Sequence, residues 1–128
     1  MPLYTVTTQE GLLSTFQRDA IAAEIVRIHT TAMHVPAHFV HSMFPTYPQG
    51  HGYVAADRSP VASIVGVIRA GHTPEEKSGL VQALWKMFKD KTGASDRDLS
   101  IALQEVPASQ AMENGGIMPE VGHESARV

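Results

Sequence analysis

Hydrophobic and polar positions along the chain fall into two similar halves. In the first, Pro2 to Thr8 is rich in β-branched and aromatic residues, which predicts a strand. Gly11 permits a turn. Ser14-Thr15-Phe16-Gln17 then forms a capping box, in which Ser14 satisfies amides left open at a helix start and Gln17 reaches back. Ile21, Ile25, Ile28 and Ala32 follow at helical spacing and predict one apolar stripe. Pro36 prevents that helix from continuing, and Phe39 to Phe44 reads as a second strand.

The second half repeats the plan. Ala62 to Ile68 (ASIVGVI) is a short apolar run that predicts a strand buried on both faces. Gly71 turns the chain. Thr73-Pro74-Glu75-Glu76 joins a cap, a proline at the first helical position and two acids against the helix dipole. Leu80, Val81, Leu84, Met87 and Phe88 form the face to be buried, Lys86, Lys89 and Lys91 gather toward the C-terminal end, and Gly93 closes the helix. Leu99, Ile101 and Leu103 alternate with Ser100, Ala102 and Gln104, as a strand with two unlike faces requires.

Laid over itself at an offset of about 60 residues, the chain places Pro2 on Ala62, Gly11 on Gly71 and Phe39 on Leu99. One residue tighter, Ile21 meets Leu80, Ile25 meets Leu84 and Ile28 meets Met87. The expected fold class is therefore α/β, with two pseudo-repeated β-α-β units forming a small sheet with helices on one face. The expected organisation is a single domain over 1–128, with repeat one at about 2–46, a connector at about 47–61, repeat two at about 62–106 and a tail at 107–128. Pro48, Gly50, Gly52 and Pro60 make the connector a loop with room for a short hairpin. The tail, with Gly115, Gly116, Pro119 and Gly122, is expected to be irregular and to complete a subunit contact.

Composition narrows the chemistry. Hydrophobic residues make up 43% of the 128 and charged residues 18%, enough to bury a core. A net charge of −3 and an aromatic share of 6% argue against a nucleic-acid partner. No apolar run reaches the ~20 residues of a membrane helix, and Met1-Pro2-Leu3-Tyr4 carries neither a basic n-region nor an apolar h-region. The expectation is a cytoplasmic protein without a membrane partner. The absence of cysteine removes disulfides, thiolate nucleophiles, iron–sulfur clusters and Cys-based zinc sites. Catalysis is left to nitrogen and oxygen.

Four residues are candidates on that basis. Removal of Met1 would turn Pro2 into a secondary amine at a strand end, and an α-amino group titrates at about 7.7–8.0, within reach of neutrality. Arg69 closes the apolar strand and could clamp a carboxylate through two parallel bonds, or point to solvent. His29, near the end of the first helix, could donate to a substrate oxygen or simply meet the helix dipole. Glu113, in a glycine-flanked segment, could activate water as a general base or lie solvated. His34, His38 and His41 have ligand-like spacing only on one helix, Pro36 interrupts them, and no carboxylate lies among them, so no metal is expected. Phosphate-loop, dinucleotide and nucleophile-elbow motifs are absent.

The amino-terminal proline, the two halves and the Pro2/Ala62 asymmetry together resemble the tautomerase superfamily. The segment from Ala62 to Gly116 looks like the 4-oxalocrotonate tautomerase pattern. The tail, Glu105-Val106-Pro107-Ala108-Ser109-Gln110-Ala111-Met112-Glu113 with Gly115, Met118-Pro119 and Gly122-His123-Glu124, resembles the cis-3-chloroacrylic acid dehalogenase family. The resemblance implies a homotrimer with one site per subunit and no cofactor. It implies that Pro2 is the acid or base, that His29 and Arg69 bind a substrate carboxylate, and that Glu113 activates water. Two positions depart from it: His72 stands where the family has a second arginine, and Ala102 where it has a water-assisting tyrosine. A second arginine adds a charge-assisted bond of roughly 1.5–3 kcal/mol, which a mostly neutral histidine does not replace.

Keto–enol tautomerisation of a small 2-keto or enol carboxylic acid is the expected activity, since one amine and one cation suffice for it. The alternative is hydration or dehalogenation of 3-substituted acrylates or acetylenic acids, at low efficiency. A non-catalytic trimeric binding module is a third possibility.

Overall fold

The structure is a computed structural model that describes residues 1–124; the last four positions of the expected tail lie outside the described residues. Strand β1 (Leu3–Gln9) alternates strictly, with Tyr4, Val6 and Thr8 buried and their neighbours half-buried. Helix α1 (Thr15–Met33) starts at the Ser14/Gln17 capping box, with both of its hydrogen bonds formed. It buries Ile21, Ile25, Ile28, His29 and Met33 and ends at His34 in the left-handed conformation, φ 58°.

After Pro36 the chain departs from expectation. Phe39 belongs to a 3-10 turn (Ala37–Phe39), where its ring is buried, and only β2 (His41–Met43) is extended, parallel to β1. The apolar residues at the ends of the expected strand read as strand pattern, but Phe39 reaches the core from the turn. β3 (Thr46–Tyr47) pairs with the far end of β1, and β4 (Tyr53–Val54) with β5 (Asp57–Arg58) makes the short hairpin within the connector.

β6 (Ala62–Arg69) runs antiparallel to β1, with Leu3 opposite Val67 and Thr7 opposite Ser63. Helix α2 (Pro74–Thr92) opens on the Thr73/Glu76 capping box and closes at Gly93, φ 74°, the left-handed position where a side chain would be strained. β7 (Leu99–Val106) returns parallel to β6 in continuous register. The sheet order is β2-β1-β6-β7.

Both helices share one core with the inward side chains of the sheet, centred on Tyr4, Val6, Ile21, Ile25, Ile64, Ile68, Leu80, Leu84 and Phe88. β6 is consequently buried on one face rather than two: Val65 on the other face is 36% exposed, because no helix covers it. The tail is more regular than expected. β8 (Met112–Glu113) and β9 (Gly116–Ile117) form a hairpin about Asn114 and Gly115, whose φ of 51° and 81° define a primed two-residue turn.

Candidate active site

Parallel pairing of β1 with β2, and antiparallel pairing of β1 with β6, bring four chain ends to one edge of the sheet. β1 and β2 begin there; β6 and β7 finish there, Arg69 opposite Val106. Pro2 is buried at the start of β1, and its carbonyl accepts from the His41 N–H at 3.1 Å. Arg69 is the last residue of β6 and His72 lies in the turn that follows. Glu113 arrives on β8, His29 from the last turns of α1. The five residues singled out in the sequence are thus drawn to one end of the molecule.

With Met1 in place the Pro2 nitrogen is an amide, without basicity. The terminal ammonium of Met1 pairs instead with the Glu113 carboxylate, and the other Glu113 oxygen lies 3.7 Å from His41 Nδ1. Removing Met1 would move the terminal amine one residue along, to Pro2, with Glu113 as the neighbouring carboxylate.

His29 does not point to solvent. It is 1% exposed, and its Nδ1 lies 2.7 Å from the Tyr4 hydroxyl. Burial, and then the nearby His72, terminal ammonium and Arg69, push its pKa down to about 3. The imidazole is therefore neutral. Those three influences also place His29 within the field of the other candidates.

Arg69 does not point to solvent either; it is 2% exposed. Its Nη2 donates to Glu124 Oε1 at 2.7 Å, its Nη1 to the Pro119 carbonyl at 2.6 Å, and its Cζ lies 5.6 Å from the Phe39 ring centroid. Burial works to raise the Glu124 pKa, but the Arg69 hydrogen bond and backbone N–H groups including Gly122 outweigh it and hold the carboxyl below its usual range. A carboxylate of the chain itself therefore occupies the guanidinium expected to bind a substrate carboxylate. His72 is buried, its Nδ1 has no hydrogen-bond partner among the described residues, and Glu76 Oε1 is 3.7 Å away. Burial lowers the His72 pKa, Glu76 opposes that, and Arg69 adds to it.

Tyr4, His41 and Glu124 are the participants the sequence reading left without a role at this site. Glu124 was visible only as part of the tail motif, and Tyr4 only as a strand aromatic. One signal was available for Tyr4: Gly66 sits opposite it in the middle of an apolar strand, and a strand glycine often marks a close approach. His34, His38 and His41 do not assemble, and among the described residues no group of three or more His, Cys, Asp or Glu could hold a metal ion. A groove of about 510 Å³ between α1 and α2, lined by Ile28, Ala32, Ala83 and Met87 among others, includes none of the five candidates.

Arg69 and Glu124 give the first expected result. Glu124→Gln removes the competing negative charge and should lower the KM for a carboxylate substrate several-fold, leaving kcat within twofold. Arg69→Ala should raise KM by roughly one to two decades, the worth of a charge-assisted bond. Steady-state kinetics on both variants reads this; a KM indifferent to either change rules out Arg69 as the carboxylate site.

Two β-α-β units sharing a small sheet, with both helices packed on one face, make the tautomerase fold. The chain belongs to the tautomerase family whose model is described as "Putative oxalocrotonate tautomerase enzyme", which matches residues 1–128. The native crystal structure of Ps01740 is 34% identical, over 87% of this chain and 99% of that one, with a TM-score of 0.84. N1, a member of the cis-3-chloroacrylic acid dehalogenase family, is 24% identical over 97% and 88% of the two chains, TM-score 0.92. Pt0534 inactivated by 2-oxo-3-pentynoate is 23% identical over 97% of each, TM-score 0.83. No curated protein sequence matches this one.

Proposed function

We propose that the protein, once Met1 is removed, catalyses keto–enol tautomerisation of a small 2-keto or enol carboxylic acid, with the Pro2 amine as proton shuttle. The observation that carries this reading is the convergence of the amino terminus with His29, Arg69, His72 and Glu113 at one end of the sheet. In the ketonisation direction, the neutral Pro2 amine takes the enol O–H proton, the C–O bond becomes C=O, and the proton is delivered to the adjacent carbon as the C=C bond is lost. Arg69, released from Glu124, and the buried His72 imidazole hold the carboxylate. His29, neutral at any physiological pH, contributes a hydrogen bond rather than a charge. The reaction needs no cofactor.

A homotrimer is part of the proposal. Its support is the fused 4-OT structures, one described as a wild type symmetric trimer at 20% identity and TM-score 0.83, together with the sheet face around Val65 that neither helix covers. Among the described residues no helix is long and apolar enough to cross a membrane.

A second reading is favoured by one contact. Glu113 lies against the terminal ammonium, and a carboxylate beside an amine favours its charged form. An amine held protonated would act as the acid, and Glu113 as the base toward water, in hydration or dehalogenation of a 3-substituted acrylate or acetylenic acid.

Incubation with 2-oxo-3-pentynoate tests the shared premise of a reactive amine. The amine lone pair adds to the electron-poor alkyne carbon, and the N–H proton passes to the neighbouring carbon, so the chain gains the mass of one reagent. Peptide mapping should place that mass on Pro2 in Met1-free protein and never on the Pro2 nitrogen in protein that keeps Met1, where it is an amide. An unlabelled Pro2 in folded, Met1-free protein that also turns over no enol acid leaves a binding module as the reading that stands.

A further inference from the structure

We infer that Tyr4 is a positioning residue, whose hydroxyl donates to His29 Nδ1 and so fixes His29 as the Nε2–H tautomer, a neutral donor to the substrate. This deepens the tautomerase proposal and rests on it for the substrate, though not for the tautomer.

The hydrogen bond has two conceivable directions, and burial selects one. The Tyr4 ring is fully buried, and its hydroxyl makes its hydrogen bond to His29 Nδ1 at 2.7 Å. A neutral imidazole carries one N–H and one acceptor nitrogen. If Nδ1–H donated to the phenol oxygen, the phenol proton would itself need an acceptor in the core, and a buried donor left unsatisfied costs ~1–3 kcal/mol. If the phenol donates, both groups are satisfied at Nδ1 and the ring proton resides on Nε2. The protonation states agree: burial pushes the Tyr4 phenol well above its ordinary range, and burial with three neighbouring cationic or ionisable groups keeps His29 neutral.

The backbone holds the phenol in place. Tyr4 lies opposite Gly66 in the β1–β6 ladder, and a Cβ at Gly66 would sit 2.6 Å from Tyr4 Cε1 and 3.1 Å from Cδ1. The ring thus occupies space that only glycine leaves free. It meets His29 edge-on, with centroids 5.6 Å apart and planes at 77°. The charged or titratable groups around His29 are Tyr4 from β1, Arg69 from β6, His72 from the following turn and the terminal amine. With Nδ1 taken by Tyr4, Nε2–H is the donor left for a carbonyl or carboxylate oxygen held among them.

Long-range 1H–15N correlation on labelled, Met1-free protein reads the tautomer directly. The expected pattern is a protonated Nε2 and an unprotonated Nδ1 at His29, and a protonated Nδ1 overturns the inference. Tyr4→Phe keeps the ring and deletes the donor. It should shift His29 toward the other tautomer, raise its pKa, and lower kcat about tenfold, the worth of one ordinary hydrogen bond, while the Pro2 amine titrates as before. An unmoved tautomer in Tyr4→Phe overturns the inference, as does a moved tautomer with unchanged kcat. Absence of turnover in the wild type counts against the tautomerase reading alone, because the spectrum still decides the Tyr4–His29 pair.

Discussion

Retention of Met1 is expected to silence the protein, lowering kcat by about 10²–10⁴, the range general acid–base catalysis contributes. The reason is electronic. Acylated by Met1, the Pro2 nitrogen gives its lone pair to the peptide bond; as a terminal secondary amine it takes and returns a proton near neutrality. The chain with Met1 in place already seats Pro2 at the start of β1 and pairs the terminal charge with Glu113, so the same fold is expected in both forms. A fusion ahead of Met1 and its cleaved form, with Pro2 first, should therefore differ in turnover of an enol acid such as phenylenolpyruvate. Their far-ultraviolet circular dichroism and melting should agree. Pro2→Ala in the processed chain leaves a primary amine and should fall between the two. Equal activity with and without Met1 would sink Pro2 as the proton shuttle.

Acidification gives the second large effect, this time on stability. His29 has a folded-state pKa of about 3, against an ordinary value near 6.5 when unfolded. Between those two values the unfolded chain binds a proton that the folded chain refuses, so acid favours unfolding. Stability is complete above pH ~6.5 and declines toward pH ~3, by roughly 3 kcal/mol at pH 4.5 and of the order of 4 kcal/mol across the window. His72, also held below its ordinary value, acts in the same direction. Glu124 reinforces them at the acid end: its carboxyl is depressed, so its ion pair with Arg69 is present above the usual carboxylate range and lost as pH falls through the folded value. Urea midpoints at pH 7 and 4.5 for the wild type and His29→Asn measure the histidine's share. The variant should lose most of the slope, and an equal slope in both would place the acid sensitivity elsewhere.

Both effects depend on the same arrangement, in which the amino terminus, Arg69 and two buried histidines share one end of a small sheet. Burial first, and after it the nearby His72, terminal ammonium and Arg69, keeps His29 neutral, and the two cations favour anionic neighbours. The carboxylates of Glu113 and Glu124 already meet that preference from within the chain, one at the terminal ammonium and one at Arg69. On the proposed reading a substrate carboxylate would compete with Glu124 for Arg69, which would make Glu124 a determinant of affinity.

What the sequence determined by itself was the part of the structure governed by neighbours three or four residues apart. Both capping boxes, the buried helical stripes and the left-handed stop at Gly93 are local bargains between side chains and adjacent amides, and each is found where the pattern placed it. The Asn114-Gly115 turn was local too, and was missed only because the surrounding glycines masked a two-residue hairpin signal. Pro2, His29, Arg69 and Glu113 were legible as candidate chemistry, and His72 only through the family resemblance. Their company was not. Tyr4 meets His29 across 25 residues and Arg69 meets Glu124 across 55, contacts set by strand register and by the path of the tail over the sheet end. A one-residue slip of β1 against β6 would turn Tyr4 to the uncovered face and move it off Gly66. Only the tertiary structure decided that, because register is selected by burying an entire face at once, a sum over the whole sheet that no local run of residues contains.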